Sequence, residues 1–362
     1  MVRSRRWFLC AVPVGCSVAL AEKNKPAPSA LFRYSDASTE FQVVRLTDPS
    51  FTSLLPAHFA RAVPKRGNFL LYASDSTGQM EAFRMESKGG ITRQLTELEG
   101  LYPASLTLTP DERNFCCVAG DKLLHVGLGN EKVREVCQLS VGFECTGFGL
   151  AEDGLYGGLI ERKGDLHRLR LIKISDGSST TLAEASEPMR DPIPRPRRAA
   201  ILYARGNGIW LANYDAQQNY RLKVAPGETG PFTWHPNGAT FFYLNYPDDP
   251  HKLHNIREFT PDTNMDAAVA DTTQFVAFER NSDASVFVGA SGSKASPHVL
   301  LLVRSVKREL TLCEHRASDP RIVSPIFSQN SQNIFFGSDQ HGKPAIYTMA
   351  VEKFVAETDS TQ

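Results

Sequence analysis

Seven times along this chain a polar turn rich in Pro, Asp, Asn and Gly leads into four or five consecutive apolar residues. The copies run Pro64–Tyr72, Pro110–Val118, Glu152–Ile160, Pro196–Tyr203, Pro236–Tyr243, Asn281–Val288 and Gln329–Phe336. They recur at about 40 to 48 residues, the length of one four-stranded propeller blade. The turn residues tolerate the backbone angles of a tight reversal between antiparallel strands. The apolar run is a strand buried between neighbouring blades. A second run with apolar and polar alternation follows most copies, as in Met80–Met85, Leu166–Ile172, Gly208–Asn213 and Ala345–Ala350, the pattern of a half-buried strand. No long helical periodicity competes. The pattern predicts an all-β, seven-bladed propeller.

A ring must close. Residues 41–48, Phe-Gln-Val-Val-Arg-Leu-Thr-Asp, resemble the outer strand Ile91–Glu97 yet precede any complete blade. They are expected to supply the outer strand of the last blade, so that the N-terminal strand pairs with the C-terminal end and removes an open sheet edge. The domain reading is a signal peptide at 1–21, a flexible lead at 22–40, the propeller at 41–355 and a tail at 356–362. The repeated unit accounts for the length with one domain.

The first residues carry a twin-arginine pattern, Ser4-Arg-Arg-Trp-Phe-Leu9, then an apolar stretch interrupted by Pro13 and Gly15, then Ala19-Leu-Ala21 as a small-x-small cleavage site. This reads as an export signal to the periplasm or beyond. The apolar stretch is too short and too broken for a good membrane span, so no transmembrane segment is expected after its removal; a retained anchor is the alternative. Gly15-Cys16 offers a lipoprotein site, with Pro13 standing where Leu is usual. Acidic and basic residues balance over the full chain. Losing Arg3, Arg5 and Arg6 with the signal makes the remainder slightly acidic, which excludes nucleic acid as an expected partner.

Five cysteines follow the signal, Cys116, Cys117, Cys137, Cys145 and Cys313. The odd number leaves at least one unpaired in a monomer. Cys116 and Cys117 are neighbours on one strand and point to opposite faces, and no spacing suits zinc, so they read as small buried apolar residues. The Asp248–His254 loop holds two carboxylates and two imidazoles, enough donors for a metal, but its prolines make it first a solvated hairpin loop. No Gly-x-Ser-x-Gly elbow or phosphate loop occurs.

Propellers bind ligands over the central channel, where loops and the first residues of the inner strands converge. Candidates therefore lie just before each repeat: residues 58–61, 144–148, 189–195, 230–234, 272–278 and 319–327. Within them His58, Arg61, Asp191, Arg195, Trp234, Gln274, Asp319 and Arg321 form the candidate ligand-binding set. Paired charges of both signs hold a polar sugar well, and Trp234 either stacks on a sugar face or packs between blades.

Four sets of residues stand out together: Val43-Val-Arg-Leu-Thr47 with Gly67-Asn-Phe-Leu-Leu-Tyr-Ala73, Pro192-Ile-Pro-Arg-Pro196, Trp234-His-Pro-Asn-Gly238, and Ser324-Pro-Ile-Phe327 with Ser338–Tyr347. On these, over residues 36–350, the chain resembles the oligogalacturonate lyase family, also called pectate lyase family 22, within the wider TolB-like propellers. The resemblance implies a seven-bladed propeller that cleaves pectin oligomers by β-elimination. A base takes the proton beside the uronate carboxylate while a manganese-type ion, held by three His and one Gln, stabilises the developing charge.

Carried over, the ligand positions fall on Gln274, Asp319, Ile322 and Ser324, the base near Pro231, its Arg near Gly208 and a further pocket His near Asp191. Most of these residues cannot perform the family's tasks. The expectation is an exported propeller that binds oligogalacturonate or another acidic or polar oligosaccharide, with no catalytic residue assigned and no resident metal. An active carbon–oxygen lyase with a remodelled site, using Asp191, Asp319 or His58 as acid or base, and a scaffold for envelope proteins stand as alternatives.

Overall fold

The structure is a computed structural model that describes residues 26–249, 251–271 and 273–356. The expected signal peptide, Cys16 and nearly all of the expected tail lie outside the described residues, as does Thr272. Seven antiparallel sheets stand in a ring. Six have four strands, and the last has five. Each repeated apolar run is the second strand of its blade, as in Phe69–Ser74, Asn114–Ala119 and Phe241–Tyr246. The polar turn is the hairpin between that strand and the inner one.

The side-chain alternation of a strand explains why the runs are apolar throughout. Successive residues point to opposite faces, and here both faces meet another blade. Phe69, Leu71 and Ala73 join Leu101, Leu106 and Phe115 of blade 2. Leu70 and Tyr72, one position out of phase, join Ile326, Phe335 and Ile346 of blade 7. The same rule separates the adjacent cysteines: Cys117 faces blade 1 and Cys116 faces blade 3. All five cysteines are free thiols, and burial pushes the Cys116 thiol up to about 12. The buried apolar residues fall into seven clusters, one at each blade junction. At about 1.5–3 kcal/mol per fully buried large apolar side chain, these junctions are the main source of cohesion.

The ring closes as expected. Gln42–Arg45 pairs with Ala345–Ala350, placing Val44 opposite Thr348 and Arg45 opposite Tyr347. Leu46 N–H donates to the Ile346 carbonyl at 2.7 Å, and Ile346 N–H donates to Thr47 Oγ1 at 3.0 Å. The expected flexible lead is structured in part, which corrects that boundary: Phe32–Ser35 forms a fifth strand on this sheet, paired with Gln42–Arg45. Tyr34 and Phe32 supply the reason. Tyr34 Oη accepts from Gln340 Nε2 at 2.7 Å, and both rings pack edge-on against His341. No helix among the described residues is long and apolar enough to cross a membrane.

The hairpin turns form a chain of their own at one end of the ring. Gly154 and Gly238 have positive φ, +73° and +69°, and a Cβ on Gly238 would lie 2.1 Å from the Pro196 carbonyl oxygen of the preceding turn. A Cβ on Gly154 would meet the ring of Pro110, at 2.7 Å. Only glycine allows both that backbone and that approach. At these two junctions the Pro of one turn seats the Gly of the next.

Candidate functional site

The central channel has two mouths. Every inner strand runs from the connection that enters its blade to the hairpin turn. The strand starts therefore gather at one mouth and the turns at the other.

At the strand-start mouth the inner strands are irregular. Register slips between Tyr102 and Thr107, Cys145 and Gly147, Arg190 and Ile193, Thr229 and Phe232, and Phe275 and Ala277, in five consecutive blades. Bulges re-aim side chains and interrupt pairing, so each of these strands presents altered geometry to the channel at about the same height. Asp191 sits on the fourth-blade bulge with φ +54°, a left-handed conformation that Asp tolerates better than most residues. Arg190 forms an ion pair with Asp191 and donates through Nη2 to the Thr229 carbonyl of the next blade at 3.1 Å. Its side chain is 42% exposed, so the guanidinium is held yet reachable.

Gln274 and the Asp319–Arg321 pair belong to this same mouth. Gln274 is exposed just before its strand, and its Oε1 accepts from Ser291 Oγ at 3.1 Å. Asp319 caps the short 3-10 turn Pro320–Ile322, accepts from Arg321 N at 2.9 Å, and pairs with the Arg321 guanidinium at 2.8 Å. That guanidinium holds the Asp319 carboxyl below its ordinary value. Tyr102 Oη donates to the Thr146 carbonyl at 3.1 Å, and burial raises its phenol to about 12, so it is a neutral donor at physiological pH.

His315 is fully buried nearby in sequence. Its Nδ1 accepts from Ala317 N at 3.1 Å, so Nε2 carries the proton and donates to the Ser291 carbonyl at 3.1 Å. Burial lowers its pKa and both ring nitrogens are engaged, which makes it a structural imidazole.

The turn-end mouth differs. It contains a cavity of about 490 Å³ lined by residues of six blades, and His58, Arg61 and Trp234 are among them. Its floor comes from an insertion that sequence reasoning did not single out. The inner strand of blade 1 pairs only at Ser53–Leu54 and resumes bonding at Ala62, whose carbonyl accepts from Leu71 N. Residues 55–61 swing into the channel between. There Ala57 N–H donates to the Ala104 carbonyl of blade 2, and His58 Nε2 lies 3.1 Å from the Phe232 carbonyl of blade 5. Arg61 donates to the Ala151 and Glu152 carbonyls of blade 3 at 3.0 and 3.1 Å. Burial lowers the Arg61 pKa, though the group stays charged at any ordinary pH.

Three of these arginines therefore bind main chain. Arg195, taken from the sequence as a channel-mouth ligand group, is 7% exposed. It donates through Nε to the Gly238 carbonyl at 2.7 Å and grips Asp262 with two bonds of 3.0 Å. Arg280 Nε donates to the Trp234 carbonyl at 2.6 Å. Trp234 is 2% exposed, donates from Nε1 to the Ile193 carbonyl at 3.2 Å, and lies under the Arg195 guanidinium. Its faces are used within the protein, so of the two readings given above it takes the packing one. The eight sequence candidates thus separate: His58, Arg61 and Trp234 border the turn-end cavity, Arg195 stitches two turns, and Asp191, Gln274, Asp319 and Arg321 stand at the other mouth.

The Asp248–His254 loop is a turn. His251 N–H donates to Asp249 Oδ1 at 3.0 Å, and His254 packs edge-on against Tyr246. No group of three or more His, Cys, Asp or Glu that could hold a metal occurs among the described residues.

The chain has known relatives. It is 24% identical to the oligogalacturonide lyase of Pectobacterium atrosepticum over 92% of its own length and 98% of the relative's. It is equally identical to the oligogalacturonate lyase of Dickeya dadantii over 91% and 98%. Among solved structures, an oligogalacturonate lyase in complex with manganese superposes with a TM-score of 0.84 at 23% identity, covering 91% of this chain and 98% of the other. An oligogalacturonate lyase from Vibrio parahaemolyticus gives 0.84 at 22%, covering 91% and 99%. No protein-family model matches the chain.

A manganese ion is thus bound by a relative, and the donor set here does not suit one. The carried-over positions hold an amide engaged by Ser291, a carboxylate engaged by Arg321, an isoleucine, and Ser324 with φ +35°. A divalent ion of this class prefers imidazole, carboxylate or water oxygen in a defined shell, and only Asp319 offers an anionic donor, already bound to a cation. Pro231 and its neighbours hold no base. The scaffold is that of the lyases, and with relatives of that name along nearly its whole length this chain is an oligogalacturonate lyase-like seven-bladed propeller.

Proposed function

We propose that the chain binds acidic oligosaccharides, oligogalacturonate first among them, at the strand-start mouth, without the metal-assisted elimination to which the resemblance points. The observation that carries the reading is the guanidinium of Arg190, fixed by Asp191 and Thr229 on a bulge beside the carried-over base position. A uronate carboxylate fits such a fork through paired charge-assisted bonds. Arg321, exposed at the same mouth, gives a second cation for a neighbouring uronate. Elimination needs a base at the ring proton and a positive centre at the carboxylate; Arg190 offers the second, and Pro231 stands where the resemblance puts the first.

The test is incubation of the purified chain with di- and trigalacturonate, with and without manganese, following the ultraviolet absorbance of the unsaturated product beside an active lyase. A flat trace is expected together with saturable binding. Metal-dependent growth of absorbance would mean that the lyase reaction persists on other residues. We further infer export by the twin-arginine route, supported by Arg5, Arg6 and Ala19-Leu-Ala21; an Arg5→Lys, Arg6→Lys double variant that is exported as well as the parent would refute it.

A further inference from the structure

The turn-end cavity is not needed for the reading above, and one of its walls carries an unexplained group. Glu279 ends the inner strand of blade 6 and is 7% exposed. Its Oε1 accepts from Thr233 Oγ1 at 2.9 Å and from Arg280 N at 3.0 Å. Its Oε2 is buried with no hydrogen-bond partner among the described residues. A buried carboxylate oxygen left without a donor is costly, and Glu279 lines the cavity.

The surroundings narrow what supplies that donor. Arg280 lines the same cavity and commits Nε to the Trp234 carbonyl and Nη1 to the Asn281 carbonyl at 2.9 Å, leaving Nη2 free among the described residues. Lys65 stands exposed at the rim, and Arg61 lies at the floor. Three cations, two of them held by main-chain carbonyls, against the carboxylates of Glu279 and Glu152 disfavour a bare metal cation or an amine. They favour a ligand that is itself anionic yet has a proton to donate. The volume is within the range of small-molecule pockets, about 300–1,000 Å³, and the wall between the polar groups is apolar, from Ile193, Pro194 and Phe327.

We propose that this cavity is a second binding site, for a small hydroxy acid of sugar size. A hydroxyl of the ligand donates to Glu279 Oε2, and its carboxylate meets Arg280 and Lys65. The insertion 55–61 closes the channel behind it, so the ligand enters and leaves by the turn-end mouth alone. The site is independent of the Arg190 mouth and stands or falls separately.

Calorimetric titration of the full chain with galacturonate, gluconate and neutral galactose tests it. Both acids are expected to bind saturably, and galactose at least tenfold more weakly. Glu279→Gln keeps an acceptor for Thr233 but turns the second oxygen into a donor, and is expected to weaken both acids at least tenfold. Arg280→Met is expected to erase the preference for acids over galactose, and Lys173→Ala, on the outer side of blade 3, to change nothing. A melting curve on each variant identifies one that has lost its fold, in which case the remaining variant decides. Absence of saturable acid binding, equal affinity for galactose, or unchanged affinity in Glu279→Gln would overturn the proposal. Retained trigalacturonate binding in a Glu279→Gln variant that has lost galacturonate would separate this site from the one at Arg190.

Discussion

The two mouths of one channel are built on opposite principles. At the turn end, neighbouring hairpins interlock: Gly154 and Gly238 seat against a Pro of the preceding turn, and Arg195 and Arg280 each donate to a carbonyl of an adjacent blade. At the strand-start end five consecutive blades depart from the repeat by a bulge, and the side chains there differ from blade to blade. The difference teaches where a propeller can change chemistry without losing its ring. The positions to which the resemblance assigns metal and base all belong to the irregular end, where Ile322, Ser324 and Pro231 stand.

The comparison can be broken hardest at the closure that both mouths share. Removing residues 26–45 deletes both strands that pair the N-terminal end onto blade 7, and the expected outcome is loss of the cooperative melting transition by circular dichroism rather than a small shift. A truncated chain that still melts cooperatively would show that the ring does not depend on this strand.

Next in size is Gly238→Ala. A Cβ there meets the Pro196 carbonyl on a backbone with φ +69°, and left-handed strain plus overpacking cost about 2–5 kcal/mol together. Chemical denaturation should show this loss. Gly230→Ala, at the other mouth, meets only the ring of Tyr246 and its neighbour Leu244 and should cost less. Equal losses would remove the contrast between the two ends.

Arg195→Leu comes third. It strips a donor from the Gly238 carbonyl and a partner from Asp262, an expected loss of about 1–3 kcal/mol. Hydrogen bonds from Arg195 hold the Asp262 carboxyl below its ordinary value. Stability from this pair is therefore present above the unfolded carboxyl value, about 3.9, and is lost as pH falls through the folded one. The gap in melting temperature between parent and variant should start to narrow below about pH 4 without closing, because the bond to the Gly238 carbonyl does not titrate; a constant gap down to strong acid would contradict the assignment. The smallest effect belongs to Asp319→Asn, since its pair with Arg321 is open to solvent and screened. Its melting temperature should match the parent's at neutral pH.

How much of this was legible in the sequence follows the same divide. The repeated turn and apolar run revealed the blades, and the likeness of Phe41–Asp48 to Ile91–Glu97 revealed the closure, because both depend on local periodicity. Phe32–Ser35 was missed: it is an exposed edge strand held by main-chain pairing with Gln42–Arg45 and by isolated contacts to Gln340 and His341, which leave no pattern. The channel insertion 55–61 was missed as a plug because its partners are the main-chain carbonyls of Phe232, Ala151 and Glu152, and carbonyls have no sequence signature. His58 and Arg61 were noticed without that context. Arg195 and Trp234 looked like ligand groups because a buried Arg–Trp contact and an open one read alike in one dimension. Glu279 passed unnoticed, since Glu-Arg at a strand end is an ordinary solvated pair until burial removes the water.

The most direct measurement is calorimetric titration of trigalacturonate into the purified chain and into its Arg190→Ala variant, each with and without manganese. The account expects saturable binding by the parent that manganese does not tighten, weakened at least tenfold in the variant. Binding that requires manganese, or that is unchanged when Arg190 is removed, would contradict it.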